Sequence, residues 1–597
     1  MTAPPPDGPG AEISRHVWDS KYRFGREPDA EATWRRLARA LAAAEPHGRA
    51  GWEALFLEVL EGFAFMPGGR IQAGAGTDRA VTLFNCFVMG PVEDSIDGIF
   101  QALRESAVTL QQGGGVGLDF STLRPFGAPA RASGAVASGP VSFMEVWDAM
   151  CATLLATGAR RGAMMATLRC DHPDIERFID AKRAGGRLTH FNLSVLVTDA
   201  FVEAVRADED WALVFPAAAG EAGETVRRAF PGAEGERPCR VWARVRAREL
   251  WRRMHEAAFA CAEPGVLFID RINRLDPLAY AERIVATNPC GETPLPYYGA
   301  CDLGSLNLTR FVVAPFSDKA RLDLAALGEA ARVAVRMLDN VIDVSRYPLP
   351  QQRQAARASR RIGLGVTGLA DALVMLGLRY DTEAARVAAA EAMRTIRDEA
   401  YRASAGLARE KGPFPLFDAA AHLAGPFVAG LPDDIRAAIA AHGLRNSHLL
   451  AIAPAGTISL LAGNISSGLE PIFAADYDRD VLAADGAPRR FRLTDRALAL
   501  WRGAGRPGSP PAFVTADDVS PEAQLAMQAA LQPFVDNAIS KTVTVPATMP
   551  FDRFAGLFDA AYDLGLKGCS VFRPNAVTGE VLRRATTACC TPEREAD

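Results

Sequence analysis

Apolar residues recur at helical spacing in several parts of the chain. From Asp29 to Phe65, large apolar side chains return every three or four positions, with one break at Pro46–Gly51. This spacing predicts two amphipathic helices, because residues three and four apart share one helix face. Longer helices are predicted at about 321–344 and 383–411, and the second should end at Lys411-Gly412-Pro413.

After the first helices the pattern changes to short apolar runs of strand length. Such runs occur at Val81–Val88, Leu193–Val197 and Val266–Ile269, and helical stretches such as Gly98–Leu110 and Ala200–Arg206 follow runs of this kind. The alternation predicts βα units, and therefore an α/β fold built on a largely parallel sheet.

Three stretches fall outside these patterns. Residues 208–240 are rich in Gly, Ala and Glu and are predicted to form a surface excursion. Residues 1–12 are rich in Pro and Gly, so a disordered N-terminus is predicted there. Residues 577–597 lose their periodicity, which predicts a flexible C-terminal tail carrying the cysteine pair Cys589 and Cys590.

Composition and charge narrow the range of partners. The chain has 597 residues, 49% hydrophobic and 23% charged, as in a globular enzyme. A net charge of -5 argues against nucleic acid as a constitutive partner, because binding phosphates requires a basic face. The sequence contains no uninterrupted apolar stretch of membrane-spanning length and does not open on a basic segment followed by an apolar one. No membrane partner and a cytoplasmic location are therefore expected.

The 10 cysteines matter because a reducing compartment disfavours structural disulfides. They are thus expected to be thiols, metal ligands or catalytic groups. Metal-binding spacing is absent, since the chain has no C-x-x-C and no H-x-x-x-H and its 8 histidines do not cluster near cysteines. No metal site is predicted.

The stretch Ala286–Pro296 carries the most chemistry. Its prolines and glycine exclude a regular helix or strand interior and predict a restricted loop. An amide, a thiol and a carboxylate stand at alternate positions, Asn288, Cys290 and Glu292. Alternate side chains of an extended loop point the same way, so all three are predicted to face one substrate.

A lone cysteine between polar turn residues is most often a small core residue. Two further cysteines weaken that interpretation here. Cys301 follows the loop in the run Tyr298–Leu308, and Cys86 lies in the strand-like run Leu83–Met89.

The pattern N-P-C-G-E at 288–292, followed by Y-G-A-C-x-L-G-S-x-N-L at 298–308, resembles the finger loop and following strand of ribonucleotide reductases. The similarity is greatest to the adenosylcobalamin-dependent class II enzymes, and it extends from about residue 13 to 576. Each motif alone is weak, but the ordered set is specific. Other stretches agree in the same order: Phe65–Ile71, Gly113–Gly117, Arg160–Met165, Asp171–Ile175, Pro454–Ser459, Ser467–Pro471 and Gly568–Pro574.

The resemblance implies a role for each residue of the loop. Cys290 would be the thiyl radical that removes hydrogen from the ribose C3′, Glu292 the base on the 3′-hydroxyl, and Asn288 the group that orients the sugar. Cys86 and Cys301 would supply the reducing equivalents and end as a disulfide. Further substrate contacts are implied for Asn85, Gly115, Pro289, Gly291, Pro454, Ala455, Gly456, Thr457, Ile458 and Ser459.

Two further loops have alternative interpretations. The turn Pro454–Ser459 precedes a predicted helix, so it could bind the substrate phosphates, although Thr or Ser could equally serve as an ordinary helix cap. The family usually has Thr where this chain has Ala455. The run Gly113–Gly117 lacks the G-x-G-x-x-G spacing of a dinucleotide fold. Arg160, Arg161 and Arg169 resemble the loop that connects an allosteric specificity site to the base pocket.

The resemblance also implies the cofactor. Radical-relay subunits carry adjacent tyrosines near the C-terminus, and the comparable stretch Leu566–Phe572 has none; no glycyl-radical motif follows Arg573. This leaves adenosylcobalamin as the expected source of the radical. The rival interpretations are a class I large subunit that depends on a separate radical subunit, and an inactive nucleotide-binding regulator on the same fold.

The implied fold is a ten-stranded α/β barrel of two antiparallel halves with a central finger loop at 81–576, preceded by a helical region at 13–80. Expected partners are a ribonucleotide substrate, dNTP or ATP effectors at a specificity site, and thioredoxin or a similar dithiol reductant. The most similar class favours a ribonucleoside diphosphate as the substrate. A homodimer is expected as well.

Adjacent cysteines close only a strained ring, so Cys589 and Cys590 either shuttle electrons by thiol–disulfide exchange or leave that task to a separate polypeptide.

Overall fold

The computed structural model describes residues 11–130, 135–156, 160–218, 222–230, 235–482, 488–574, 582–584 and 588–589. Most of the N-terminus predicted to be disordered, residues 1–10, lies outside this set. Of the tail 577–597, Leu582–Arg584 and Ala588–Cys589 are described, and Leu582–Arg584 pairs with the strand Asp476–Leu482. Among the described residues, no helix is long and apolar enough to cross a membrane.

The two helices predicted between Asp29 and Phe65 are present as Ala30–Ala42 and Arg49–Glu61. The first begins where the Asp29 carboxylate accepts a hydrogen bond from the Ala32 N–H at 2.9 Å, which satisfies an otherwise unpaired helix-end donor. Buried side chains of both helices pack against the helix Leu324–Val344, so this region is attached to the rest of the molecule by a continuous apolar core.

Ten strands of the described residues form one sheet. The strands are β1 (Phe65–Pro67), β2 (Cys86–Val88), β3 (Gly115–Asp119), β4 (Met164–Arg169), β5 (Phe191–Val197), β6 (Gly265–Phe268), β7 (Ala300–Asn307), β8 (Ile362–Thr367), β9 (Thr542–Thr544) and β10 (Gly568–Phe572). Their order in the sheet is β1-β7-β2-β3-β4-β5-β6-β10-β9, and β8 also pairs with β7.

The predicted parallel sheet is confirmed for most of these pairings. Strands β2 to β6 run parallel to one another, as do β7 with β8 and β9 with β10. Antiparallel pairs join β2 to β7 and β6 to β10. Parallel bridges from Leu364 to Leu450 and from Ile452 to Ile539 connect β8, through the segment around residue 450, to the segment that leads into β9. The path of pairings that leaves β7 through β2 therefore returns to β7 through β8.

Helices pack against this sheet, and shorter strands form separate small sheets. The long helices expected at 321–344 and 383–411 are Leu324–Val344 and Glu383–Lys411, and Gly412 lies at the end of the second, as predicted. The remaining α-helices are Ala11–Val17, Gly69–Gly74, Ile96–Gln111, Pro140–Thr153, Ile175–Ile179, Asp199–Ala207, Ala247–Cys261, Ile269–Arg274, Pro350–Ser359, Leu369–Met375, Ala419–Ala424, Pro426–Ala429, Asp433–His442, Gly456–Leu461, Arg496–Gly503, Pro521–Leu531 and Phe551–Asp563. The other strands are Pro129–Ala130, Ala135–Val136, Leu155–Ala156, Arg160–Arg161, Asp210–Pro216, Thr225–Ala229, Glu236–Arg246, Ala286–Thr287, Pro294–Leu295, Val312–Val313, Arg321–Leu322, Asp476–Leu482, Pro488–Thr494, Leu582–Arg584 and Ala588–Cys589.

The stretch 208–240, predicted to be a surface excursion, has regular structure of its own, and Trp211 and Leu213 of its first strand are buried in the core. Asp210–Pro216, Thr225–Ala229 and Glu236–Arg246 form an antiparallel three-stranded sheet. Its Gly, Ala and Glu residues concentrate in the connections between strands, which is why composition alone did not indicate the sheet.

Two buried histidines should make the stability of the fold depend on pH. The ring of His255 packs against Trp251 and Phe558, and burial lowers its pKa to about 4. Burial likewise lowers the pKa of His422, beside Phe414, to about 4. An unfolded histidine takes up its proton near pH 6.5, so the unfolded chain binds protons first as the pH falls. The contribution of each neutral ring to the free energy of unfolding is therefore fully present above pH 6.5, and it is lost as the pH falls toward 4.

We expect each of these histidines to remove about 2 kcal/mol from the free energy of unfolding between pH 7.5 and pH 5. His255→Phe keeps an aromatic ring but cannot be protonated, so its loss over this interval should be smaller than that of the wild type by that amount. Denaturant unfolding at the two pH values measures both losses. Equal losses in the two proteins would contradict the assignment.

Candidate active site

The stretch that carries Asn288, Cys290 and Glu292 is the tip of a β-hairpin. Ala286–Thr287 pairs antiparallel with Pro294–Leu295. Between them the backbone folds tightly: the Gly291 N–H donates to the Asn288 carbonyl at 3.1 Å, and Gly291 has a φ of +84°, a conformation that glycine adopts readily. The expectation of an extended loop is therefore corrected, because a tight turn, and not alternation along a strand, brings the three side chains together.

The hairpin is held by strands on several sides. A β-carbon added to Gly117 of β3 would lie 1.8 Å from the Thr287 carbonyl oxygen, and one added to Gly115 would lie 3.1 Å from Pro289 Cγ. Across the hairpin, Asn192 Nδ2 of β5 donates to the Pro289 carbonyl at 2.8 Å. Asn192 was not predicted as a site residue, although an amide in a mainly apolar strand was a usable signal.

Cys86 and Cys301 are direct cross-strand neighbours. Cys86 of β2 pairs in register with Cys301 of β7, both side chains are buried, and they are not joined by a disulfide. Facing Cα atoms of antiparallel strands lie about 4.5–5.5 Å apart, within the range that a disulfide spans. The two thiols are therefore placed where oxidation could link them.

Cys86 also contacts the hairpin. Asn288 Nδ2 lies 3.2 Å from Cys86 Sγ, and Cys86 Sγ lies 3.6 Å from Glu292 Oε1. Asn288 Oδ1 accepts a hydrogen bond from the Thr293 N–H at 3.0 Å, which fixes the amide within the turn. The structure thus brings together residues from two distant parts of the chain, as the resemblance implied.

Burial sets the protonation of these groups. It raises the pKa of the Cys86 thiol well above its usual value, and the Glu292 carboxylate raises it further. Burial, followed by the charge of Asp302, raises the pKa of the Cys301 thiol well above its usual value. Burial also raises the pKa of Glu292. Both thiols consequently keep their hydrogens at neutral pH, and Glu292 has a greater affinity for a proton than an exposed carboxylate.

Cys290 lies between two cavities. The smaller, of about 50 Å³, is lined by Cys86, Asn288, Glu292 and Cys290 among others. The larger, of about 380 Å³, is lined by Cys290 together with residues of β5, β6 and β10. Both cavities are lined by Pro289, Cys290 and Pro454, so the Cys290 thiol can contact molecules bound in either cavity.

Most of the other expected substrate contacts line these cavities. Asn85, Gly115, Ala455 and Ile458 line the smaller one, Gly291, Gly456 and Ser459 the larger, and Pro289 and Pro454 both. Thr457 lines neither. Arg70, which was not predicted as a site residue, lies in the wall of the smaller cavity beside Gly113.

The turn at Pro454–Ser459 leads into the helix Gly456–Leu461, as predicted. The Ala455 N–H donates to Ser467 Oγ at 2.8 Å, so the Ser467 hydroxyl holds the start of the turn. Ser459 Oγ donates to the Gly456 carbonyl at 2.8 Å. The role of this turn in phosphate binding remains a prediction.

The remaining expected site residues lie elsewhere. Arg169 Nε donates to the Asp171 carboxylate at 2.7 Å, its guanidinium stacks on Phe230, and it lines neither cavity. The side chains of Arg160 and Arg161 lie outside the described residues, as do the side chain of Cys589 and the whole of Cys590. The allosteric and electron-shuttle roles of these residues stay predictions.

The sheet and its hairpin define an α/β protein whose candidate active site combines thiols, an amide and a carboxylate. Residues 84–572 match the family model described as "Ribonucleotide reductase, barrel domain", and residues 11–80 match "Ribonucleotide reductase, all-alpha domain". The chain belongs to the ribonucleotide reductase family.

Curated relatives agree with this assignment. The chain is 40% identical over 574 residues to the "Vitamin B12-dependent ribonucleoside-diphosphate reductase" of Mycobacterium tuberculosis, covering 92% of this chain and 76% of that protein. It is 35% identical over 559 residues to the protein of the same name from Thermoplasma acidophilum, covering 90% and 67%. It is 28% identical over 509 residues to the "Ribonucleoside-diphosphate reductase subunit alpha" of Chlamydia trachomatis, covering 78% and 48%.

Proposed function

We propose that this chain reduces ribonucleoside diphosphates to 2′-deoxyribonucleotides with adenosylcobalamin as its cofactor. One observation carries the proposal: Cys290 lies between two cavities, Cys86, Asn288 and Glu292 line the smaller of them, and Cys301 pairs in register with Cys86. The names of the relatives at 40% and 35% identity support the diphosphate substrate and the cofactor.

The chemistry begins and ends at Cys290. As a thiyl radical, Cys290 takes the hydrogen atom from C3′, while Glu292 accepts the proton of the 3′-hydroxyl. The 2′-hydroxyl then leaves as water, with a proton from the thiol pair. Cys86 and Cys301 together supply two electrons and two hydrogens and become a disulfide, and Cys290 finally returns hydrogen to C3′. Asn288 holds the ribose hydroxyls in place throughout.

The larger cavity suits the cofactor. Its wall combines apolar side chains with polar ones, among them the buried Lys541, the partly buried Ser540 and the exposed Thr542, whereas Cys86 lines only the smaller cavity. These residues would hold the part of adenosylcobalamin that approaches Cys290. When bound, adenosylcobalamin supplies the radical by homolysis of its cobalt–carbon bond. Strand β10 adjoins this cavity and contains no tyrosine that could relay a radical from another subunit.

The finer architecture follows from this assignment. We interpret the sheet as a barrel of two halves, β2–β6 and β7–β10 with the connecting segments, and the hairpin at 286–295 as its finger loop. The proposed division is a helical region at 13–80, a barrel at 81–576 and a tail at 577–597. A dithiol reductant such as thioredoxin regenerates the thiol pair, and a reducing, cytoplasmic location suits that chemistry.

Regulation and assembly complete the proposal. Nucleoside triphosphate effectors bind at a specificity site, and a homodimer forms. The helix Ile96–Gln111 supports the homodimer, because Ile96 is 62% and Phe100 50% exposed on it, and exposed apolar patches mark association surfaces. Electron transfer to the thiol pair involves either Cys589 and Cys590 or a separate polypeptide.

The direct test is an anaerobic assay of the purified chain with adenosylcobalamin, a small dithiol and each nucleotide form. We expect deoxynucleoside diphosphate to form with this chain alone and only when the cofactor is present. Activity that requires a second protein subunit would favour the class I alternative, and nucleotide binding without turnover would favour the regulator.

Omitting the dithiol from the same assay tests the thiol pair. We expect about one product per chain, and a Cys86–Cys301 disulfide in the digested protein, because each turnover consumes one pair of thiols. A different disulfide pairing would contradict the assignment of these two cysteines.

A further inference from the structure

Arg361 connects the hairpin to the strand that carries Cys301. It directly precedes β8, and β8 pairs in parallel with β7 from Asp302 and Ile362 onward, so Arg361 lies level with Cys301. Its side chain is 2% exposed. One nitrogen of the guanidinium donates to the Pro294 carbonyl at 2.6 Å, and Pro294 belongs to the second strand of the hairpin.

The other arm of the same guanidinium reaches the chain that enters the hairpin. It forms an ion pair with the Glu282 carboxylate, which lies shortly before the first hairpin strand. Arg361 therefore contacts both chain segments at the base of the hairpin. A planar guanidinium can make two such contacts in one rigid geometry, and a lysine ammonium cannot.

The residues around Arg361 favour an ion pair with its guanidinium over the binding of a metal ion. Asp276, Glu282 and His448 place one ligand atom each within 4.8 Å of one another, an arrangement that could hold a metal ion. However, Arg361 contacts Glu282 directly, and the His448 ring is 2.9 Å from the Asp276 carboxylate. The cation that this cluster holds is the guanidinium.

We propose that Arg361 is a positioning residue that fastens the base of the hairpin to the barrel and thereby keeps Cys290 aligned with the thiol pair. The consequence for turnover rests on the proposed function, whereas the mechanical role does not. Displacing a reacting group by about 1 Å can cost a hundredfold in rate. Arg361 should accordingly affect kcat far more than the KM for nucleotide, since it lines neither cavity.

Arg360 provides a matched control. It is similarly buried, at 4% exposure, and its guanidinium also binds two partners, in this case the carboxylates of Asp339 at 2.9 Å and Asp343 at 3.0 Å. Both partners lie in the helix Leu324–Val344 on the outside of the sheet. Arg360→Lys thus replaces a buried guanidinium that makes two contacts, and neither of these contacts involves the hairpin.

The test compares Arg361→Lys, Glu282→Gln and Arg360→Lys by hydrogen exchange followed by mass spectrometry of the peptide covering 284–297. We expect exchange at the hairpin tip to rise at least about tenfold in Arg361→Lys and less in Glu282→Gln, with no change in Arg360→Lys. In the reductase assay, Arg361→Lys should lower kcat at least about tenfold and leave KM within about threefold.

Unchanged hairpin exchange in Arg361→Lys, or an equal rise in Arg360→Lys, would overturn the proposal, because the arginine would then contribute only general stability. If Arg361→Lys does not fold, the milder Glu282→Gln decides by the same measurement. Hairpin exchange that responds as expected in a protein without reductase activity would support the positioning role and reject the proposed function, so the two failures are distinguishable.

Discussion

Cys290→Ser should abolish product formation and leave nucleotide binding nearly unchanged. A serine hydroxyl has a much stronger bond to hydrogen than a thiol, so it cannot form the radical that takes hydrogen from C3′. Since each added 1.36 kcal/mol of barrier costs about tenfold in rate, turnover should fall below detection. Binding should persist because serine occupies nearly the same volume at the wall between the two cavities.

The measurement pairs the anaerobic reductase assay with equilibrium binding of a nucleoside diphosphate. Cys239→Ser is the matched control, because Cys239 is a buried thiol of the separate three-stranded sheet and lines neither cavity. Its activity should match the wild type. Measurable turnover by Cys290→Ser would end the radical assignment.

Gly117→Ala should displace the hairpin and lower kcat at least about a hundredfold. The added β-carbon would lie 1.8 Å from the Thr287 carbonyl oxygen, and this neighbour is backbone that cannot rotate away. Ordinary contact needs roughly twice that separation. Either β3 or the hairpin must therefore move, and the hairpin carries Asn288, Cys290 and Glu292.

Gly406→Ala controls for the effect of adding a methyl group. Gly406 lies within the helix Glu383–Lys411, and a β-carbon there would meet nothing within 4 Å. This substitution should keep full activity and raise stability slightly, by about 0.5–1 kcal/mol. Activity of Gly117→Ala within threefold of the wild type would show that the hairpin does not depend on this close approach.

Local chemistry made several elements predictable from the sequence. The helix Ala30–Ala42 follows an aspartate cap, and the helix Glu383–Lys411 stops before Gly412 and Pro413. The proline-rich stretch around Cys290 was predicted to be irregular for the same reason, since proline and glycine restrict or free the backbone at their own positions. The strand alternation in 208–240 was obscured by the composition of its turns.

Other features of the site depend on contacts between distant segments. Cys86 and Glu292 are separated by 206 positions yet lie 3.6 Å apart. No local pattern predicts the contact of Asn192 with Pro289 or the two contacts of Arg361, since each depends on which strands become neighbours. Only family resemblance linked the cysteines before the structure was considered.

The sequence by itself determined where helices begin and end, which runs enter the sheet, and which residues could carry thiol chemistry, because propensity, capping and side-chain type act over a few residues. The tertiary structure decided that β2 and β7 lie side by side, that a tight hairpin enters between the strands, and that Cys290 faces two cavities. These outcomes depend on strand pairing and close packing across the whole chain, which no local stretch of sequence encodes.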